Sequence, residues 1–277
     1  MNMPVSDPVF SPSGSALRGR KSVIARDFGD AAASYDQAAR LQRAMGQALI
    51  DRLPPDAVGC GRVLDLGCGT GYFLPVLQAH LHPQRLTGVD LSPGMLEYAR
   101  RHRSVEADWL LADAESVPLP DASQDVVFSN LMIQWCADPE PALRECRRLL
   151  RPGGWLLCST LLDGTLAELA SAWETVDPGQ PHVNDFESAT DLRSKLAAVF
   201  PHGELHQRTL RLDYAHPADL LRELKALGAH HKAPGRRTSM TGATRIRQLY
   251  QHYPRASDGT APASYEAGFL VARRGRD

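Results

Sequence analysis

The stretch that most constrains this chain lies near the end of its first quarter. Arg62-Val63-Leu64-Asp65-Leu66 runs straight into Gly67-Cys68-Gly69-Thr70-Gly71, and residues 72–80 then have the length and apolar content of a helix. An apolar run, a turn of alternate glycines and a helix form the first unit of a doubly wound α/β sheet. A strand of that kind is covered on both faces, so it needs parallel neighbours with helices above and below. The following hundred or so residues supply them. Strand-like runs at 85–90, 107–111, 125–129 and 155–161 alternate with helical spacing at 93–101 and 139–150, and Arg151-Pro152-Gly153-Gly154 reads as a turn.

The spacing of the glycines narrows the ligand. Nicotinamide-binding loops carry G-x-G-x-x-G, whose third glycine lets a helix start approach a pyrophosphate closely. Here the pattern is G-x-G-x-G, with the carboxylate of Asp65 two residues before the first glycine. A glycine turn preceded by an acid suits a cationic ligand better than a phosphate, and S-adenosylmethionine, with its sulfonium and α-ammonium groups, is such a ligand. Asp90 ends the next strand, about twenty residues after the loop, where a carboxylate can take both ribose hydroxyls, and Leu91 follows it. Asp113 and Ala114 follow the third strand and are placed to read an adenine edge, while Asn130 ends the fourth. The candidate cofactor residues are therefore Asp65, Gly67, Gly69, Gly71, Asp90, Leu91, Asp113, Ala114 and Asn130.

On either side of this region the pattern differs. Residues 1–22 hold Pro4, Pro8, Pro12, Gly14 and Gly19 and read as a disordered tail. From Val23 apolar residues recur at threes and fours as far as Leu53, which predicts an amphipathic helical stretch, broken at most once. Residues 23–273 are expected to form a single domain. Beyond Leu161 the alternation loosens: helical spacing covers 166–176, 191–199, 218–227 and 244–253, an edge strand 204–214, and a last strand 265–273. Segments of about 162–200 and 215–260 read as helical lid insertions over the C-terminal edge of the sheet, where ligands of open α/β sheets bind.

Composition excludes several classes of function. Lys plus Arg number 31 against 32 Asp plus Glu, a net charge of -1 without a basic tract, which disfavours nucleic acid as a partner. No apolar run approaches the roughly 18 residues of a membrane span. The five cysteines show no C-x-x-C and no zinc spacing, so no metal site is expected, and they read as reduced thiols. The first residues lack the basic start and apolar block of a secretory signal, and a cytoplasmic location is expected. After the fourth strand, Ser129-Asn130-Leu131-Met132 takes the place of the N-P-P-Y-like tetrapeptide that base-flipping methyltransferases carry.

Residues 62–161 resemble the class I S-adenosylmethionine-dependent methyltransferases, a seven-stranded Rossmann-like fold whose last strand is antiparallel to the rest. Within that family, further segments resemble the malonyl-[acyl-carrier protein] O-methyltransferases of biotin synthesis. These include Phe28-Gly29-Asp30-Ala31-Ala32-Ala33-Ser34-Tyr35-Asp36, Asn130-Leu131-Met132-Ile133-Gln134-Trp135-Cys136, Gly164-Thr165-Leu166, Ala172-Trp173, His182-Val183-Asn184, Leu221 through Ala229, and Ser264-Tyr265-Glu266. The glycine loop is common to all class I methyltransferases and decides nothing among them. The chain departs from the pattern at Ala226, where glycine is usual, and at Met132, where alanine is usual.

The resemblance implies transfer of a methyl group to the free carboxylate of malonyl-acyl carrier protein, giving a methyl ester for pimeloyl and biotin synthesis. A carboxylate of ordinary pKa, about 4, is already ionised at neutral pH, so no general base is expected. Substrate-binding candidates in the segments of resemblance are Tyr35, Gln134, Trp135, His182, Asn184 and Lys225. An acyl carrier protein is acidic, and Arg236, Arg237, Arg245 and Arg247 form a candidate basic docking patch. Two alternatives stay open on the sequence: methylation of another small acid or a quinone, and a non-catalytic cofactor-binding module.

Overall fold

The computed structural model describes residues 12–228 and 242–276. A seven-stranded sheet runs in the order β3-β2-β1-β4-β5-β7-β6. Its strands are β1 (Arg62–Leu66), β2 (Arg85–Asp90), β3 (Asp108–Leu111), β4 (Gln124–Asn130), β5 (Leu150–Leu161), β6 (Glu204–Tyr214) and β7 (Ala261–Arg273). The first five pair in parallel, and β7 is antiparallel to both β5 and β6. The fold class read from the sequence is the fold observed.

Period-two burial explains the two layers of core. Along β4, Val126 and Phe128 join one apolar cluster while Val127 joins the other, and Val63 and Leu64 of β1 divide the same way. The first face is covered by α2 (Arg40–Ile50) and α3 (Leu74–Leu81), through Met45, Leu49, Leu74 and Leu77. The second is covered by α5 (Pro139–Leu149) and α7 (Ala189–Val199), through Leu143, Cys146 and Leu196. Helix starts follow local chemistry. In α5, Asp138 accepts the Glu140 amide and Pro139 fills the first position, where a missing N–H costs nothing. Ser92 and Pro93 open α4 (Pro93–His102) in the same way.

Three expectations are corrected. Residues 12–22 are not a tail but the start of α1 (Pro12–Ala38), with residues 1–11 outside the described part. The helix begins at the last proline of the segment, a residue tolerated in a first turn, and no proline follows before Pro54. The chain then breaks once, at Ala39, before α2. The turn at 151–154 lies inside β5, where Gly153 at φ 81° accompanies a register shift between Gln124 and Val126 of β4.

The third correction concerns the lid. Of the segment 162–200, α6 (Ala167–Val176) packs on β7 and α9 (Ala243–His252), but α7 packs on α5 and β6 and thickens the helical layer. The second excursion, 215–260, leaves β6 and enters β7 at the paired ends Tyr214 and Ala261, beyond the C-terminal edge of the parallel strands. There α8 (Pro217–Ala226) meets α1, which also crosses α4.

Candidate functional site

The strand order reverses between β1 and β4, and ligands of open sheets bind in the crevice at that point. The Ser129 hydroxyl donates to the Leu66 carbonyl at 2.7 Å and ties the two strand ends together. A cavity opens there, and Gly67, Gly69, Asp90, Leu91, Asp113, Ala114 and Asn130 all line it. Two of the nine cofactor candidates do not line it. Asp65 is buried, only 3% exposed. Gly71 is required by packing instead: at φ 71°, an added Cβ would meet the Trp109 ring at 2.8 Å.

The other loop glycines serve the crevice directly. Gly67 has φ 77°, and a Cβ there would lie 2.4 Å from the Met132 side chain. At Gly69 a Cβ would meet nothing within 4 Å, so this part of the loop is open to a ligand. Asp90 braces the loop, with Oδ2 accepting from the Gly69 amide and Oδ1 from the Ser92 amide, both at 2.8 Å. Burial raises its pKa, and those amide bonds oppose the rise. Asp65 is pushed up to about 8, first by burial and then by the charge of Asp90. Buried Asp65 and half-buried Asp90, whose negative charges disfavour one another, beside a loop open at Gly69, are the surroundings that a cationic ligand stabilises. This donor set fits the ammonium and sulfonium of S-adenosylmethionine.

Two candidates are already engaged. Asp113 accepts from the Lys21 ammonium at 2.7 Å and from the Glu115 amide at 3.1 Å, so it meets the cavity as half of an ion pair. Asn130 accepts from the Ser159 hydroxyl at 2.7 Å and donates to the Gln42 carbonyl at 3.0 Å, which makes it a brace between β4, β5 and α2.

A second cavity shares Trp135 and Cys136 with the first, and Gln134 and Asn184 line it, together with Thr160, Asp163 and Arg20. Tyr35 lines the cofactor cavity, where Phe28 makes edge contacts to both Tyr35 and Trp135, with ring centroids 6.2 and 5.1 Å apart. Burial, with Asp90 and Asp36 nearby, raises the Tyr35 pKa and keeps its phenol protonated. The remaining substrate candidates lie elsewhere. His182 stacks on Trp173 at 3.9 Å and bonds Asp177 at 3.1 Å, and exposed Lys225 lines neither cavity. Arg236 and Arg237 fall outside the described residues. Arg245 pairs with Asp177 at 3.7 Å, and Arg247 is exposed.

The sequence reading missed Arg20, Lys21, Phe28, Met95 and Cys136 as lining residues. Arg20 and Lys21 stand in the segment read as tail, so the available signal was the cationic pair itself, next to the helical spacing that starts at Val23. Among the described residues no group of three or more His, Cys, Asp or Glu is placed to hold a metal ion, and no helix is long and apolar enough to cross a membrane.

Comparison with known proteins accords with this geometry. Residues 64–158 match the family model described as a methyltransferase domain. The chain is 39% identical over 269 residues to malonyl-[acyl-carrier protein] O-methyltransferase of Hahella chejuensis, covering 95% of each chain. It is 41% identical over 260 residues to the protein of the same name from Serratia marcescens, covering 92% of this chain and 96% of that one. Among solved structures, the YcgJ protein of Bacillus subtilis superimposes with a TM-score of 0.61 at 19% identity over 85% of this chain and 100% of that one, a likeness of fold. Identity of 39–41% over more than nine-tenths of the chain, far beyond the glycine loop, places the chain in the malonyl-[acyl-carrier protein] O-methyltransferase family.

Proposed function

We propose that this protein transfers the methyl group of S-adenosylmethionine to the free carboxylate of malonyl-acyl carrier protein, yielding the methyl ester used in biotin synthesis. The observation that carries the reading is likeness to relatives of that name over 95% of the chain. The two adjoining cavities support it, because methyl transfer needs a cofactor chamber and an acceptor chamber that meet at one point.

When bound, the cofactor supplies an electrophilic methyl group on a sulfonium. Gly67, Gly69 and Asp90 shape its chamber, and Asp65, protonated at neutral pH on its own, gives up its proton more readily when a cation arrives. The acceptor carboxylate is ionised at neutral pH, so no residue need remove a proton. The work left to the chain is alignment and exclusion of water. Trp135 stands where the chambers meet, and Phe28 and Tyr35 continue its aromatic wall into the cofactor chamber. Cys136 lines both chambers, and a thiolate there would compete for the methyl group. Burial, helped by the charge of Glu115, pushes its pKa up to about 12 and keeps it a thiol. The product no longer carries a charged carboxylate, which would be costly to bury in the apolar pockets of chain-elongating enzymes. The surface around Arg245 and Arg247 is the proposed docking site for the acidic carrier.

The test is transfer of label from radiolabelled S-adenosylmethionine to malonyl carrier protein, with acetyl and succinyl carrier proteins and malonyl-coenzyme A in parallel. Label on the malonyl form, released as methanol by mild base and absent with acetyl, is the expected result. Cofactor binding without label on any thioester would overturn the reading.

A further inference from the structure

We propose that Arg20 binds the substrate carboxylate and thereby selects a malonyl over a neutral acyl thioester, an inference that rests on the carboxyl-transfer reading above. Among the described residues that line the second chamber, Arg20 is the only Lys, Arg or His. Its Nε is buried and has no hydrogen-bond partner. Among the described residues no ion pair engages the guanidinium either. A buried guanidinium N–H without an acceptor is unfavourable, and an arriving carboxylate oxygen relieves it with a charge-assisted bond.

The position of Arg20 is set by its neighbour. Lys21 is held by Asp113 at 2.7 Å and Glu115 at 2.8 Å, at the rim of the cofactor cavity. Consecutive cations of α1 thus reach the two chambers, one as an anchor and the other unpartnered. The chamber also holds carboxylates, and most are occupied. Glu187 is bonded by Lys195 at 2.6 Å, Asp191 by the Ser188 hydroxyl at 2.7 Å, and Asp163 by the Gly164 amide at 2.9 Å. Their charge repels an anion from their part of the chamber and confines the substrate carboxylate to the guanidinium. The donors proposed from the sequence are less suited. The Gln134 amide already donates to the Leu131 carbonyl at 2.8 Å, and neither Gln134 nor Asn184 carries charge. One N–H on one oxygen leaves the second oxygen free for in-line attack, which a bidentate grip on both oxygens would hinder.

The test measures binding of malonyl-pantetheine and acetyl-pantetheine by calorimetry to enzyme loaded with S-adenosylhomocysteine. Wild type should prefer malonyl by about tenfold or more, the scale of one charge-assisted bond. R20Q should lose that preference, with acetyl-pantetheine and S-adenosylhomocysteine affinities held within about twofold, and R20K should keep part of it. An unchanged preference in R20Q, no preference in wild type, or an equal loss of S-adenosylhomocysteine affinity would each overturn the assignment. Turnover separates it from the functional reading. Labelled malonyl carrier protein with wild type alongside an unaltered R20Q sinks the role of Arg20 alone. An Arg20-dependent malonyl preference without methyl transfer sinks the reaction and leaves the carboxylate site standing.

Discussion

The ammonium of Lys21 lies 2.7 Å from Asp113 and 2.8 Å from Glu115, so the first helix is fastened to the loop after β3 at the rim of the cofactor cavity. Burial alone would lower the Lys21 pKa, and the two carboxylates outweigh it and raise it. Partly exposed pairs of this kind contribute about 1 kcal/mol. Lys21→Met should therefore weaken S-adenosylhomocysteine binding by about fivefold with little change in melting temperature, read by calorimetry and thermal melts. Unchanged affinity would mean that α1 stays closed without this anchor.

Asp65 gives a pH signature. Its pKa in the folded protein is raised to about 8 from 3.8. Between those values the folded chain holds a proton that the unfolded chain has released, so this group's contribution to stability is complete below about pH 4. It falls as pH rises and is gone above about 8. Denaturant melts of wild type against Asp65→Asn should show the wild type losing ground across that window. A cationic cofactor favours the ionised acid, so its binding at pH 7 should release protons. Calorimetry in buffers of different ionisation enthalpy should detect that release in wild type and not in D65N.

Gly67 is at φ 77°, and an added Cβ would sit 2.4 Å from Met132. Gly67→Ala therefore combines left-handed backbone strain with a steric clash, a cost of about 1–3 kcal/mol. The expected outcome is a lowered melting temperature and cofactor affinity reduced more than tenfold. Gly69→Ala, at φ 53°, shares the backbone strain but faces no neighbour within 4 Å, so it should lose affinity with less loss of stability, and comparing the two separates the steric clash from ligand approach.

A third contact holds the loop from outside. Thr70 donates to Asp36 of α1 at 2.6 Å, while Arg103 pairs with Asp36 and donates to the Thr70 carbonyl at 2.8 Å. A double-mutant cycle of Asp36→Ala and Arg103→Ala should give a coupling of about 1 kcal/mol in unfolding free energy, because the two groups share one partly buried pair. Additive effects would show that each side chain acts alone.

Much of the site was legible because its signals are local. The glycine spacing, Asp65 before it and Asp90 at the next strand end all follow from what a strand-to-helix turn demands of its own few residues. The composition of the first 22 residues misled, since prolines at 4, 8 and 12 all precede or open α1 and none interrupts it. His182 and Lys225 were chosen for their chemistry, and packing sent one to a stack on Trp173 and the other to solvent. Asn130 and Asp113 were placed at the cavity, but their partners, Gln42 and Ser159 for one and Lys21 for the other, depend on elements brought together from across the chain.

The sequence by itself determined the order of strands and helices, the two-sided burial of the sheet and the acidic glycine loop, because periodicity and turn chemistry act within a few residues. Tertiary structure decided which side chains reach the crevice. It brought Lys21 to Asp113 across 92 positions and left the Nε of the neighbouring Arg20 buried without a partner. Such pairings depend on how α1 lies across the sheet edge, and no run of residues along the chain encodes that angle locally.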